Sequence, residues 1–133
     1  MNGSNKILKI VIDTNVLFMS LYNPNGKAGK IIDSANEGKL ELFSPESVKI
    51  EILRVLKREM DLSESELDFI IESLPVKWIE ESIYSEALGK TKVKHKADKP
   101  IEALSLILDC GILSADYHFK NRIDINKLLK SLE

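Results

Sequence analysis

Two acidic residues of this sequence stand where the carboxyl ends of strands are predicted. Asp13 ends the apolar run at residues 7–12, which is rich in β-branched residues and predicts a strand buried on both faces. Asp116 ends a second strand-like run at residues 111–115. In open α/β sheets, ligands bind at the carboxyl ends of strands, where the topology reverses. If these strands are neighbours, we expect both carboxylates in one crevice.

Two further acids are predicted to reach the same edge of the sheet. Asp98 comes directly before a helix predicted from Pro100. Glu51 borders the apolar stripe of a helix predicted over residues 45–58, so its side chain points towards the sheet. The sequence therefore nominates four carboxylates for a single site.

Each of these acids also has a purely structural explanation, which the sequence leaves open. Asp98 could cap the helix that follows it. Asp116 could form an Asx turn. Glu51 could pair with Arg54 or Arg58 at the rim of its helix.

Carboxylates gathered in one cleft would need a cation. At an effective dielectric constant of about 20 they repel one another strongly. A bound cation or strongly raised pKa values make such a cluster tolerable. All-oxygen ligands without His or Cys suit Mg²⁺ or Mn²⁺. Two such ions about 4 Å apart could activate a water and stabilise the leaving oxygen in phosphodiester hydrolysis.

Signals for strands and helices alternate along the chain. Strands are predicted over residues 7–12, 40–43, 76–79, 111–115 and 123–125, and helices over 27–37, 45–58, 63–74 and 82–88, from Pro100 and from Asn126. We expect Gly38 and Gly111 to end helices, Ser44 to cap one, and Ser63 with Glu66 to form a capping box. This alternation predicts an α/β fold with a parallel sheet and right-handed crossovers.

The bulk composition fits one domain spanning residues 1–133. Nineteen basic and twenty-one acidic residues give a net charge of −2, so no global positive field indicates a polyanion partner. The single Cys110 favours a reducing, cytoplasmic setting. No stretch approaches the roughly 20 apolar residues of a membrane span, so we expect no membrane association.

A lysine-rich segment, residues 90–99, precedes the last of the predicted major helices. Its lysines are Lys90, Lys92, Lys94, Lys96 and Lys99. Lysines beside a metal site could bind phosphates of a nucleic acid without sequence preference and with strong salt dependence. The alternative is a solvated surface loop, and both interpretations stay open.

The order and context of these residues resemble the PIN-domain family of metal-dependent ribonucleases. The resemblance rests on IDTNVL at Asp13, SVKIEIL at Glu51, KADKPIEAL at Asp98 and ILSADYHF at Asp116, and it spans residues 8 to about 126. It implies a three-layer α/β/α sandwich of about five strands in the order 3-2-1-4-5. It also implies a pocket for one or two divalent ions and endonucleolytic cleavage of single-stranded RNA.

The resemblance also suggests roles and partners. Asp13 would be the central metal ligand, Asp98 and Asp116 further ligands, and Asn15 and Ser114 would orient the acids. The family more often has Thr where Ser114 stands. Many small members are toxins of toxin–antitoxin pairs, including a VapC-like subgroup, so the resemblance allows for an antitoxin partner. A homodimer would use helices near residues 48–60 or 66–74.

Two other classes of protein share part of this pattern. Haloacid-dehalogenase-type phosphatases also place an Asp after the first strand, but they have a second Asp where this chain has Asn15. A nuclease-like scaffold that binds RNA or a protein without cutting is the non-enzymatic alternative. The presence of all four acids favours the ribonuclease.

Overall fold

Five β-strands in the part of the chain that the structure describes form one parallel sheet. The computed structural model describes residues 7–133. Its strands are β1 Leu8–Ile12, β2 Leu40–Pro45, β3 Val76–Ile79, β4 Gly111–Leu113 and β5 Arg122–Ile123. They pair in parallel in the order 3-2-1-4-5, with β1 in the centre. The order confirms the expected sheet.

Helices connect the strands and flank the sheet, as expected for an α/β/α sandwich. The α-helices are α1 Thr14–Tyr22, α2 Lys27–Asn36, α3 Glu46–Glu59, α4 Glu64–Ser73, α5 Glu81–Tyr84, α6 Lys99–Leu108 and α7 Ile125–Ser131. Two 3₁₀ helices cover Ser85–Lys90 and Lys96–Asp98. The first of them follows α5 directly, so the two together replace the single helix predicted over residues 82–88. Within residues 7–133, no helix is long and apolar enough to cross a membrane.

Helix α1 directly after β1 is an element that the sequence pattern does not predict. Its residues, TNVLFMSLY, are apolar around much of the helix, so they show no clear division into an apolar and a polar face. The helix begins because the carboxylate of Asp13 accepts a hydrogen bond from the backbone N–H of Val16 at 3.0 Å. Asp13 therefore ends a strand and caps a helix at once.

Two predicted helix boundaries are wrong. Ser44 lies within β2, where its hydroxyl donates to a backbone carbonyl of β1, and Pro45 takes the cap position of α3. Helix α6 ends at Leu108, and the residue that caps it, Asp109, adopts a left-handed conformation with φ of 51°. Gly111 begins β4 instead. A Cβ at this position would collide with the side chain of Ile123, so the glycine lets β4 and β5 approach closely.

Two other predicted helix ends are confirmed. Gly38 follows α2 with φ of 80°, the left-handed conformation expected of a glycine that ends a helix. The hydroxyl of Ser63 accepts the backbone N–H of Glu66, and the Glu66 carboxylate accepts the backbone N–H of Ser63. This capping box starts α4.

The carboxyl-terminal half of β1 lies in the core. Ile10, Val11 and Ile12 are fully buried, whereas Leu8 and Lys9 at the start of the strand are exposed. The prediction of a strand buried on both faces is thus correct only for its last three residues. Burial of each such side chain contributes about 1.5–3 kcal/mol. The result is a rigid backbone at the edge of the sheet where Asp13 follows.

Candidate active site

The pairing of β1 with β4 sets Asp13 beside Ser114. Ile12 lies opposite Leu113, and the N–H of Asp13 donates to the carbonyl of Leu113 at 3.2 Å. In the next position, the hydroxyl of Ser114 donates to Oδ2 of Asp13. The backbone N–H of Asp116 donates to the same Ser114 oxygen at 3.0 Å. One buried hydroxyl therefore connects Asp13 to the backbone of Asp116.

The remaining two acids reach this edge from helices. Glu51 lies in the second turn of α3, which starts where β2 ends, and Asp98 immediately precedes α6. All four predicted acids line one cleft of about 50 Å³. Its lining residues are Asp13, Thr14, Asn15, Glu51, Ala97, Asp98, Ile101 and Asp116.

The structural alternatives for two of these acids find no support in the contacts. Asp98 occupies the cap position of α6, but in the described residues its side chain makes no capping hydrogen bond. The ion pairs seen among residues 7–133 do not include Glu51, and Arg58 pairs with Glu59 at 3.0 Å. Both carboxylates are therefore available to the cleft.

Asp13 is only 4% exposed, and its surroundings disfavour the ionised form of its carboxyl group. Burial raises the pKa of Asp13 above its ordinary value, and the charges of Asp116 and Asp98 raise it further. The hydrogen bonds from Ser114 and from the backbone of Val16 oppose this rise but do not cancel it.

The pKa of Asp98 is also raised, mainly by burial. Among its charged neighbours, His118 lowers this pKa, Asp116 raises it and His95 lowers it. The rings of His95 and His118 lie together, with centroids 5.4 Å apart. Burial and repulsion between neighbouring acids therefore disfavour ionisation of both Asp13 and Asp98.

The donor chemistry of the cleft fits a divalent cation, although the side chains do not encircle one point. Among residues 7–133, no three His, Cys, Asp or Glu side chains are gathered closely enough to hold an ion as they stand. The carboxylates nevertheless face one cleft, and the raised pKa values of Asp13 and Asp98 are what a nearby cation would reverse. Hard oxygen donors of this kind are those that Mg²⁺ and Mn²⁺ prefer.

Of the two residues expected to orient the acids, Ser114 contacts Asp13 and Asn15 lies at the rim of the cleft. Asn15 is exposed, and no hydrogen bond joins it to an acid in the part of the chain that the structure describes. It also lines a mostly apolar neighbouring groove of about 290 Å³, together with Met19, Arg122 and Ile125. The sequence pattern did not indicate this groove.

The lysines of residues 90–99 do not share one surface. Lys90 and Lys92 line a groove of about 580 Å³ that includes Cys110 and Gly111, at the start of β4. Asp98 lies at the opposite end of that strand, in the acidic cleft. The segment therefore runs from the amino-terminal end of β4 to its carboxyl end, and only its second half adjoins the acids. Its lysines are exposed except Lys99, which is half-buried.

Sequence reasoning missed the residue that holds this segment, Glu102. It is 7% exposed on α6, and its Oε1 accepts the backbone N–H groups of Lys92 at 2.6 Å and of Val93 at 3.1 Å. Val93 is itself buried. No side-chain pattern in the sequence gave a signal for it, because both of its partners are backbone N–H groups.

A parallel sheet in the order 3-2-1-4-5, with four acids lining a cleft at the carboxyl ends of its central strands, is the α/β arrangement expected of a PIN-like protein. The chain belongs to the PIN-domain family, because the model of the PIN domain matches residues 11–127.

Similar proteins share the fold or a short segment with this chain. A toxin–antitoxin complex from Klebsiella pneumoniae contains a chain that is 13% identical, with a TM-score of 0.64 over 87% of this chain and 97% of that chain. In VapBC2 from Rickettsia felis, bound to a promoter DNA fragment, the identity is 13% and the TM-score 0.57, over 85% of this chain and 92% of that chain. An uncharacterised protein of Methanocaldococcus jannaschii is 47% identical over 45 residues, which is 34% of this chain and 29% of that protein's length.

The raised pKa of Asp13 predicts a pH-dependent loss of stability in metal-free protein. Because folding raises this pKa above the ordinary value of 3.8, full stability is present below that pH and falls as pH rises through the folded pKa. Asp13→Asn cannot ionise. We therefore expect the free energy of unfolding of the wild type to fall relative to that of Asp13→Asn as the pH rises above about 4, measured by urea denaturation with a chelator present.

The exposed acid Asp33 on α2 provides the matched control. Asp33→Asn should follow the wild-type curve across the same pH range. Parallel curves for the wild type and Asp13→Asn would contradict the assignment of a costly charge to Asp13.

Glu102→Ala should release the lysine segment. The change leaves two backbone N–H groups without their acceptor, which costs about 1–3 kcal/mol for a buried group. We expect faster amide hydrogen exchange at Lys92 and Val93, measured residue by residue. Glu102→Gln keeps an acceptor oxygen and should retain most of the protection. Unchanged exchange in Glu102→Ala would show that the segment is held by other contacts.

Proposed function

We propose that this chain is a divalent-metal-dependent endoribonuclease that cleaves single-stranded RNA, acting as one PIN-like domain over residues 1–133. The observation that carries the proposal is the cleft that four carboxylates line at the carboxyl ends of β1 and β4. A cluster that favours a divalent cation is suited to phosphodiester hydrolysis.

In this proposal Asp13 is the central metal ligand. Its carboxylate is oriented by the Ser114 hydroxyl and by the N–H of Val16, so its position is set before any ligand binds. Asp98 and Asp116 are further ligands. When bound, one or two Mg²⁺ or Mn²⁺ ions would supply Lewis-acid activation of water and charge neutralisation at the leaving 3′ oxygen.

Glu51 is proposed to hold a second ion or to orient the attacking water. It approaches the cleft from α3, away from the Asp13–Ser114 contact, and it is half-buried. Ile101 forms an apolar wall of the same cleft. An apolar wall limits the entry of bulk water and so strengthens electrostatic interactions in the site.

The lysines would bind the RNA backbone. Lys94 and Lys96 are exposed and lie four and two residues before Asp98, which would place positive charge where the RNA approaches the acids. Lys90 and Lys92 lie towards the other end of β4, so they could hold phosphates further along the strand. Lys99 is half-buried at the start of α6 and would bind a phosphate close to Asp98.

We further propose that the chain acts in the cytoplasm as the toxin of a toxin–antitoxin pair. The support is the fold that it shares with chains in the two complexes from Klebsiella pneumoniae and Rickettsia felis. The partner would then be an antitoxin protein that blocks the acidic cleft. A homodimer through α3 or α4 also stays a prediction; Ile50 and Phe69 on these helices are exposed.

Loss of the acids should abolish metal-dependent cleavage. Changing a residue that merely orients a metal ligand costs about 10- to 100-fold in affinity or activity. We therefore expect Asp13→Asn and Asp116→Asn each to lose more than about 100-fold in Mn²⁺-dependent cleavage of single-stranded RNA, with 5′-phosphate and 3′-hydroxyl products from the wild type. The assay measures initial rates with and without chelator.

Asp33→Asn again serves as the control and should cleave at the wild-type rate. A wild-type rate in Asp13→Asn would remove Asp13 from the mechanism. Binding of RNA without cleavage by the wild type would favour the non-catalytic scaffold. A trapped aspartyl-phosphate would favour the phosphatase class instead.

The lysine segment should determine the salt dependence of RNA binding. When one lysine no longer neutralises a phosphate, the slope of log affinity against log salt falls by about 0.7 for a single strand. The triple change of Lys92, Lys94 and Lys96 to Ala should therefore reduce the slope by about 2, measured by fluorescence anisotropy with metal-free protein.

Lys39 and Lys57 offer a matched pair for this measurement. Both are exposed, and each already pairs with an acid, Lys39 with Glu37 at 3.3 Å and Lys57 with Glu64 at 3.1 Å, so neither is expected to neutralise a phosphate. Changing both to Ala should leave the slope unchanged. An unchanged slope in the triple variant would assign RNA binding to another surface.

A further inference from the structure

The segment between β4 and β5 carries an exposed aromatic ring directly after one of the acids. Tyr117 follows Asp116 and is 84% exposed. The same segment is firmly held elsewhere. Phe119 is buried in the core, and the side-chain amide of Asn121 donates to the carbonyl of Cys110 at 3.1 Å. The exposed ring therefore stands on an anchored loop.

Arg122 holds the ring from one side. Its guanidinium carbon lies 4.1 Å from the centre of the Tyr117 ring, which is cation–π geometry. The Nε of Arg122 donates to the carbonyl oxygen of Ser114 at 2.8 Å. Ser114 is also the residue whose hydroxyl contacts Asp13. Three contacts thus connect the ring to the acid at the centre of the cleft: Tyr117 with Arg122, Arg122 with Ser114, and Ser114 with Asp13.

A single exposed tyrosine is ordinary on a protein surface. What distinguishes Tyr117 is that one face of its ring is already covered by a fixed cation while most of the side chain is open to solvent. A ring held in advance loses little conformational entropy when a ligand stacks on its open face. Flat, neutral or weakly polar ring systems are the ligands that such a face favours.

We propose that the open face of Tyr117 is a stacking platform for one unpaired base of single-stranded RNA, next to the phosphate in the acidic cleft. This inference rests on the proposed ribonuclease function and adds a base-binding subsite to it. An unpaired base presents the flat surface that the ring requires, and stacking on an aromatic side chain tolerates any base. The ring is one residue from Asp116, so a nucleotide whose phosphate enters the cleft places its base, or its neighbour's, within reach of Tyr117.

The test compares Tyr117→Ala with Tyr117→Phe in Mn²⁺-dependent cleavage of a defined single-stranded RNA. Loss of stacking on one aromatic side chain weakens binding by roughly 10- to 100-fold. We expect Tyr117→Ala to raise KM by about that factor with a smaller change in kcat. Tyr117→Phe keeps the ring and should retain the wild-type KM. Because Tyr117 is exposed, the melting temperature should not change, and a merely structural role would leave KM unaltered.

A set of RNAs with a single abasic position supplies the second arm. On one of these RNAs, with the abasic position beside the cleavage site, the wild type should lose the same factor in KM, and Tyr117→Ala should lose nothing more. A wild-type KM in Tyr117→Ala would overturn the inference. So would additive losses from the variant and the abasic position, since these would assign the base to another contact.

The two proposals fail in different ways. If the wild type cleaves the RNA but Tyr117→Ala is unchanged, the platform is wrong and the ribonuclease stands. If the wild type neither binds nor cleaves RNA with Mn²⁺, the proposed function is wrong and the platform falls with it.

Discussion

The contact between Ser114 and Asp13 across the central strands is the constraint on which the site depends. The parallel pairing of β1 with β4 puts these two residues side by side, and the hydroxyl of one donates to the carboxylate of the other. The other oxygen of Asp13 accepts the first hydrogen bond that α1 needs. The acid is therefore oriented by the fold itself. Because the same Ser114 oxygen accepts the N–H of Asp116, the position of the second acid follows from the first.

The ionised carboxylate that a metal site would require at Asp13 lowers the stability of the folded protein. Burial and neighbouring acids make the charge of Asp13 costly in the folded protein, and the two hydrogen bonds offset only part of that cost. The last three residues of β1, fully buried, hold the backbone in place while its end carries the unfavourable charge. The buried end of β1 thus allows mutually repelling acids to lie at the carboxyl ends of the strands. A cation would convert the same repulsion into binding energy.

Much of this could be predicted from the sequence because it follows from local pattern. Strands rich in β-branched residues, the capping box at Ser63 and the acids at strand ends are visible in short stretches, and the strand order came from the family resemblance. Helix α1 was missed because its residues lack a polar face. Glu102 was missed because its partners are backbone N–H groups nine and ten residues away, which no side-chain pattern reveals. The division of the lysines between two ends of β4 is likewise a property of the folded path.

The acidic cleft poses a problem for any polyanionic substrate. With a net charge of −2 the chain has no overall attraction for a polyanion, and in the proposed function its acids would repel the phosphate that enters the cleft. In that proposal the lysines of residues 90–99 would offset this repulsion, but their contribution would weaken as salt rises. Stacking on Tyr117 would add affinity that does not depend on charge, since it acts on the base and not on the phosphate. Arg122 contacts both the ring that is proposed to bind a base and Ser114, the residue that contacts Asp13. Binding of the base would therefore position the phosphate relative to Asp13 through three successive contacts, from Tyr117 to Arg122, from Arg122 to Ser114 and from Ser114 to Asp13.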